Sequence, residues 1–140
     1  MSECAAYVEI NPVPQTILVI DDVPIARTFN ASALRAAGFE VVEADDGQLA
    51  LAMLPNQAID AIVCDFQMPN MNGVELVQAV RSQAQYQRIP ILMLSAEGNA
   101  QTMKSATDAG ATAWVLKPVS RSQLVATVNR LLHNAAAVTP

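Results

Sequence analysis

The sequence predicts a doubly wound α/β domain: a five-stranded parallel sheet covered by five helices. Short apolar runs recur along the chain, and longer segments of helical period separate them. The runs are close to continuously apolar rather than alternating, as strands buried on both faces must be. A length of 140 residues suits one such domain. Apolar residues make up 52% and charged residues 15%, a composition that supports a buried core and argues against disorder.

The elements follow in order. Residues 1–15 contain Pro12 and Pro14 and no sustained period, which predicts a loose tail. "ILVI" (17–20) is the first strand. Pro24 suits the first turn of helix one, which runs through Phe29 and Leu34 and stops at Gly38. "FEVVEA" (39–44) alternates more than the other runs, with Glu40 and Glu43, and so suits an edge strand. A second helix leads to "AIVC" (61–64), the third strand. The pair Asn72-Gly73 starts helix three, with Leu76, Val77 and Val80 on its apolar face. "ILML" (91–94), a fourth helix and "WVL" (114–116) come next. In the last helix Leu124, Val125, Val128, Leu131 and Leu132 share one face, and residues 136–140 form a short tail. The domain therefore spans 16–135, with right-handed crossovers.

The net charge of −5 rests against eight scattered Lys and Arg, which argues against nucleic acid as a partner. No apolar run reaches the ~18 residues a spanning helix needs, and the start carries acids instead of a basic leader. A cytoplasmic location without membrane insertion is expected. Cys4 and Cys64 suit neither a disulfide framework nor a metal pair, and read as free thiols, with Cys64 in the core.

In open parallel sheets ligands bind outside the carboxyl ends of the strands. Those positions hold Asp21-Asp22, Asp65, Ser95 and Lys117-Pro118, each after a different strand. Three carboxylates on one rim repel one another and raise their own pKa values unless cations hold them ionised. Lys117 supplies one charge, and hard oxygen ligands favour Mg²⁺ as another. An ionised carboxylate beside both can attack phosphorus, and Asp65, set apart from the acidic pair, is the candidate nucleophile.

Each residue also has a plainer structural reading. The acidic pair can cap the helix at Pro24, Ser95 can cap helix four, and Asp65 to Pro69 can be a simple turn. Lys117 can be a solvated lysine, Trp114 a core residue and His133 a surface residue near a helix C-terminus. Only their recurrence at successive strand ends makes a site of them.

With Asp21-Asp22, "DFQMPNMNG" (65–73), Ser95-Ala96 and Lys117-Pro118 in place, the sequence resembles the receiver domain of two-component response regulators, of the stand-alone, single-domain type. The resemblance implies a flavodoxin-like sheet with strand order 2-1-3-4-5. It implies Asp65 as phosphoacceptor, taking a phosphoryl group from a histidine kinase or phosphotransfer protein with Mg²⁺ as cofactor. Asp22 would ligate the metal directly, Asp21 through water, and the backbone carbonyl of Gln67 would add a ligand. Ser95, beside Ala96, and Lys117 would bind the phosphoryl group, and the bond to Pro118 would be cis. Trp114 sits where the family places an aromatic that turns inward when Ser95 moves. Gln67 and Glu97 occupy positions that tune the phosphoryl lifetime. The output would be a change in the face of helix four, strand five and helix five, read by a downstream protein target.

The family's departures here are Trp114 in place of Tyr or Phe, and Thr112-Ala113, Gln123 and Thr127 in place of charged residues that join some relatives into dimers. A monomer, or a weak phosphorylation-dependent dimer, is expected. The chain would be a signalling switch that catalyses its own phosphotransfer and dephosphorylation, not an enzyme in the ordinary sense. One alternative is an aspartate-nucleophile phosphatase or phosphotransferase of the haloacid dehalogenase type. That class places a second Asp two residues after the nucleophile, where this chain has Gln67 after Asp65 and Val23 after Asp21. Another is a receiver excised from a larger regulator.

Overall fold

The computed structural model describes residues 14–137. Five strands, β1 (Thr16–Ile20), β2 (Glu40–Ala44), β3 (Ala61–Asp65), β4 (Ile91–Ser95) and β5 (Ala113–Leu116), form one parallel sheet in the order β2-β1-β3-β4-β5. Four helices connect them, α1 (Pro24–Ala36), α2 (Gly47–Met53), α3 (Gly73–Arg81) and α4 (Ala100–Ala109), and a fifth, α5 (Arg121–Ala137), follows β5. This is the doubly wound, flavodoxin-like arrangement expected from the sequence. β2 is the edge strand that its alternation predicted, and only its last residue, Ala44, is buried. Most of the expected N-terminal tail, Cys4 included, lies outside the described residues, as do 138–140. α5 continues to Ala137.

The two-residue period of the strands sorts their side chains into two cores. Leu18, Ile20, Ile62, Cys64, Ile91 and Met93 point to one face and pack with residues of α2, α3 and α4 such as Ala50, Val77 and Ala106. Ile17, Val19, Val63, Leu92 and Leu94 point to the other and meet Leu34 of α1 and Leu124, Val128 and Leu132 of α5. Leu124, Val128 and Leu132 are the buried stripe of the face read from the last helix. Phe29 departs from the expected helix-one core. It sits at the rim, 39% exposed, with the Arg121 guanidinium 5.5 Å from its ring centroid.

Local grammar sets the helix ends. Pro24 opens α1 without a side-chain cap. Asp46 Oδ1 accepts from Leu49 N at 2.7 Å at the start of α2. Asn72 and Glu75 form a reciprocal capping box on α3. Asn99 caps α4, which ends on Gly110 at φ 118°.

Gly110 carries the first prediction. A Cβ there would lie 2.9 Å from Arg81 Cγ and would have to adopt a left-handed backbone. Gly110→Ala should therefore destabilise the chain by about 1–3 kcal/mol, read as a lower midpoint in urea denaturation. An unchanged midpoint would contradict this geometry.

Candidate functional site

The sheet register brings the candidate residues to one edge. Asp65 and Ser95 are the last residues of β3 and β4, inside the strands and not just beyond them as the sequence suggested. Asp65 pairs in register with Leu94, and Ser95 with Leu116, one residue before Lys117. Asp21 and Asp22 follow β1 directly. Carboxylate oxygens of Asp21, Asp22 and Asp65 all lie within 4.8 Å of one another. Asp21 and Asp65 are buried and Asp22 is half-buried.

Lys117 Nζ lies 2.5 Å from Asp65 Oδ1 and 3.8 Å from Asp21 Oδ2. Lys117 N donates to Ser95 O at 2.7 Å, which fixes the start of the β5–α5 loop, and the Lys117–Pro118 peptide is cis. The helix-cap reading of the acidic pair fails: Asp21 Oδ1 accepts from Val23 N at 2.9 Å, and Val23, not an aspartate, is the N-cap of α1. The helix-cap reading of Ser95 fails as well, because Asn99 caps α4 and Ser95 Oγ accepts from Glu97 N at 3.0 Å. The solvated-lysine reading of Lys117 is displaced by its two carboxylate contacts.

The carboxyl of Asp65 is pushed above its ordinary value. Burial is the largest cause; Lys117 opposes it by hydrogen bond and charge, and Asp21 and Asp22 add repulsion. Carboxylate repulsion, the cause argued from the sequence, thus acts here but ranks below desolvation. The same surroundings raise Cys64, first by burial and then by Asp65 and Asp21, so its thiol stays protonated, with Sγ 3.1 Å from Asp65 O. Cys64 is a core residue, as its apolar run implied.

A hard divalent cation suits this donor set. Asp21 Oδ2 is buried without a hydrogen-bond partner, a costly state for a carboxylate oxygen unless a cation completes it. Three carboxylates facing a single lysine leave negative charge in excess at the cluster, which favours the same occupant.

The remaining candidates ring the cluster. Gln67 and Glu97 are exposed and bonded to each other, Nε2 to Oε2 at 3.1 Å. Ala96 is exposed and, with Lys117, Pro118, Val23, Ile25 and Phe29, lines an adjoining apolar cavity of about 740 Å³. The Trp114 indole is half-buried, 5.2 Å from the ring of Phe66 at 52°, and its Nε1 is buried without an acceptor. His133 is exposed and remote from the cluster in sequence and element.

Sequence reasoning missed two contributors. Arg27 Nη1 donates to Asp21 O at 2.7 Å while its Nε contacts Glu43 at 3.3 Å, tying the acidic loop to the edge strand. The only signal was an arginine one turn into α1 opposite a glutamate on β2. Phe66 gave the other signal openly, as an aromatic immediately after Asp65.

A parallel sheet whose carboxyl edge gathers an acidic pair, a terminal aspartate, a hydroxyl and a lysine fits the receiver class that the sequence resembles. Residues 17–129 match the family model of the response regulator receiver domain. The chain is 35% identical over 118 residues to the chemotaxis protein CheY of Pseudomonas aeruginosa, covering 84% of this chain and 95% of that one. It is also similar to the solved chemotaxis response regulator CheY4 of Vibrio cholerae, at 38% identity and TM-score 0.81 over 85% of this chain and 99% of that one. A further likeness is to the receiver domain of sensor histidine kinase PA1611 from Pseudomonas aeruginosa, solved with a magnesium ion coordinated in its active-site cleft. There the identity is 28% and the TM-score 0.79, over 86% and 99% of the two chains.

The chain belongs to the response regulator receiver domain family. It is a receiver of the CheY-like kind, from two-component signalling, in which such domains act as switches between histidine kinases and downstream targets. Among the described residues no helix is long and apolar enough to cross a membrane.

Proposed function

We infer that this chain is a phosphoacceptor: it takes a phosphoryl group onto Asp65 from a histidine kinase or histidine phosphotransfer protein, in the cytoplasm, as a monomer or a weak phosphorylation-dependent dimer. The observation that carries this reading is Lys117 Nζ at 2.5 Å from Asp65 Oδ1, with the Asp21 and Asp22 carboxylates alongside.

In the step proposed, an Asp65 carboxylate oxygen forms a bond to phosphorus as the bond from phosphorus to the donor's histidine nitrogen breaks. The electron pair leaves with that imidazole. Asp21, Asp22, Asp65 and the Gln67 carbonyl would hold Mg²⁺, which when bound supplies charge neutralisation on the transferring oxygens. Lys117 holds Asp65 in place and afterwards binds a phosphoryl oxygen. The Ser95 hydroxyl, now accepting from Glu97 N, turns to another. Gln67 and Glu97, bonded across the entrance, govern access of the water that hydrolyses the acyl phosphate. The unit concerned spans 16–135.

The apolar cavity beside Lys117 supports a protein as the donor, because Val23, Ile25 and Phe29, all exposed, line it together as one apolar patch. Output passes through α4, β5 and α5. Trp114 lies on β5 against Phe66, the residue after Asp65, which suits a switch read at that face.

Trp114 is the only tryptophan of the chain, so its emission reports on this site alone. Acetyl phosphate or beryllofluoride with Mg²⁺ should change its fluorescence, and Asp65→Asn should abolish that part of the response. A response that persists unchanged in Asp65→Asn would remove Asp65 as the acceptor.

A further inference from the structure

A second cavity, of about 450 Å³, opens at the opposite end of the sheet from Asp65, beneath Pro90 and Thr112, which precede β4 and β5. Its wall contains two arginines, Arg81 at the end of α3 and Arg88 before β4, and no acidic side chain. Among the described residues, Arg27, Arg35, Lys104 and Lys117 pair with carboxylates, whereas Arg81, Arg88, Arg121 and Arg130 do not, and of these four Arg81 and Arg88 line this cavity. Two positive charges without a carboxylate partner thus meet at one cavity in a chain of net charge −5.

Arg81 is held in place with little freedom. Its Nε and Nη2 donate to Gly110 O at 3.1 and 2.8 Å, Nη2 also to Thr112 Oγ1 at 3.5 Å, and Nη1 donates to Tyr86 O at 2.7 Å. These bonds satisfy most of the donors without cancelling the charge, and burial lowers the pKa of the group as expected for a cation lacking a counterion. Arg88 is exposed at the rim and free to close over a ligand. Gln87 and Asn134 add amide donors, and Leu131 and Pro90 give an apolar wall.

We propose that the cavity between Arg81, Arg88 and Asn134 is an anion site that binds the phosphate group of a small phosphate ester, with the organic part against Leu131 and Pro90. A guanidinium whose donors are free matches phosphate oxygens in pairs, and that role falls to the exposed Arg88; the fixed Arg81 contributes its charge and the second N–H of Nη1. The site is separate from the proposed phosphoacceptor cluster, and the inference does not depend on Asp65 being phosphorylated.

The test follows backbone amide shifts by NMR during titration with inorganic phosphate, then with a nucleoside monophosphate, with the uncharged nucleoside as control. It is run in metal-free buffer with EDTA, so that the acidic cluster does not recruit the same anion. Saturating shifts at residues 87–88, 110–112 and 131–135 are expected, with the nucleotide binding more tightly than phosphate and the nucleoside not at all. Arg88→Gln removes an exposed side chain with no bond in the fold and should weaken binding at least tenfold, whereas Arg88→Lys should retain part of it. Asn134→Asp, also at an exposed position, should abolish it. Shifts confined to the region of Asp65 and Lys117, no saturation at any site, or equal affinity in Arg88→Gln would each overturn the proposal.

Discussion

Asp65→Asn should melt a few degrees higher than the parent chain at neutral pH in metal-free buffer, while taking up no phosphoryl group from acetyl phosphate. The pairing of these effects follows from one feature. Folding moves the Asp65 carboxyl out of water, and the gain from Lys117 does not offset that loss, so its pKa is raised above the unfolded value. A carboxyl raised in this way contributes its stability when protonated, below the unfolded value near 4. It loses that contribution as pH rises through the higher folded value. At neutral pH ionised Asp65 therefore costs stability, and an uncharged amide of the same shape recovers it. Melting curves of the two proteins should converge as pH falls below ~4 and separate fully above the folded pKa. A variant that melts lower than the parent at pH 7 would show that the Lys117 ion pair outweighs burial. Phosphoryl uptake by the variant would show that another residue is the acceptor.

Millimolar Mg²⁺ should raise the melting temperature of the parent chain, and EDTA should reverse the rise. A ligand that binds only the folded state at a hundred times its Kd stabilises by about 2.7 kcal/mol, on the order of 10 °C for a domain of this size. The orphaned Asp21 Oδ2 and the excess of carboxylate over ammonium are the reasons to expect so large an effect. The double variant Asp21→Asn/Asp22→Asn keeps the bond from Val23 N to the position 21 side-chain oxygen but loses the charge, so its melting temperature should not respond. A parent chain unmoved by Mg²⁺ would argue against a metal in this cluster, and an equal rise in the double variant would locate the binding elsewhere.

The fold was legible because its strands are apolar enough to be seen against their surroundings. "ILVI", "AIVC" and "ILML" are strands buried on both faces, and Glu40 and Glu43 betray the edge. The site was legible for a related reason: in an apolar chain, charged residues that close apolar runs stand out. Pairwise detail was not legible, since nothing in spacing reports a side chain that reaches across elements. Arg27 binds a carbonyl on the β1–α1 loop and a glutamate on β2, and Arg81 crosses from α3 to the carbonyl of Gly110, the C-cap of α4. Phe29 shows the limit on helices, where periodicity gives a face but not where its edge meets solvent. The weights of competing electrostatic effects at Asp65 were equally out of reach, because desolvation depends on packing density that a sequence does not carry.

Trp114 brings to β5 a buried N–H with nothing to donate to. An unsatisfied buried donor costs about 1–3 kcal/mol, which any rotamer that lets the nitrogen reach water regains. On the proposed reading this brings the resting and alternative arrangements of β5 closer in energy. Shifting a two-state equilibrium from 1:99 to 99:1 takes about 5.5 kcal/mol of differential binding. Each 1.4 kcal/mol already supplied by the indole lowers the demand on the phosphoryl group by a factor of ten. If Asp65 is the acceptor proposed above, one nitrogen on β5 shifts the threshold at which the protein answers its signal.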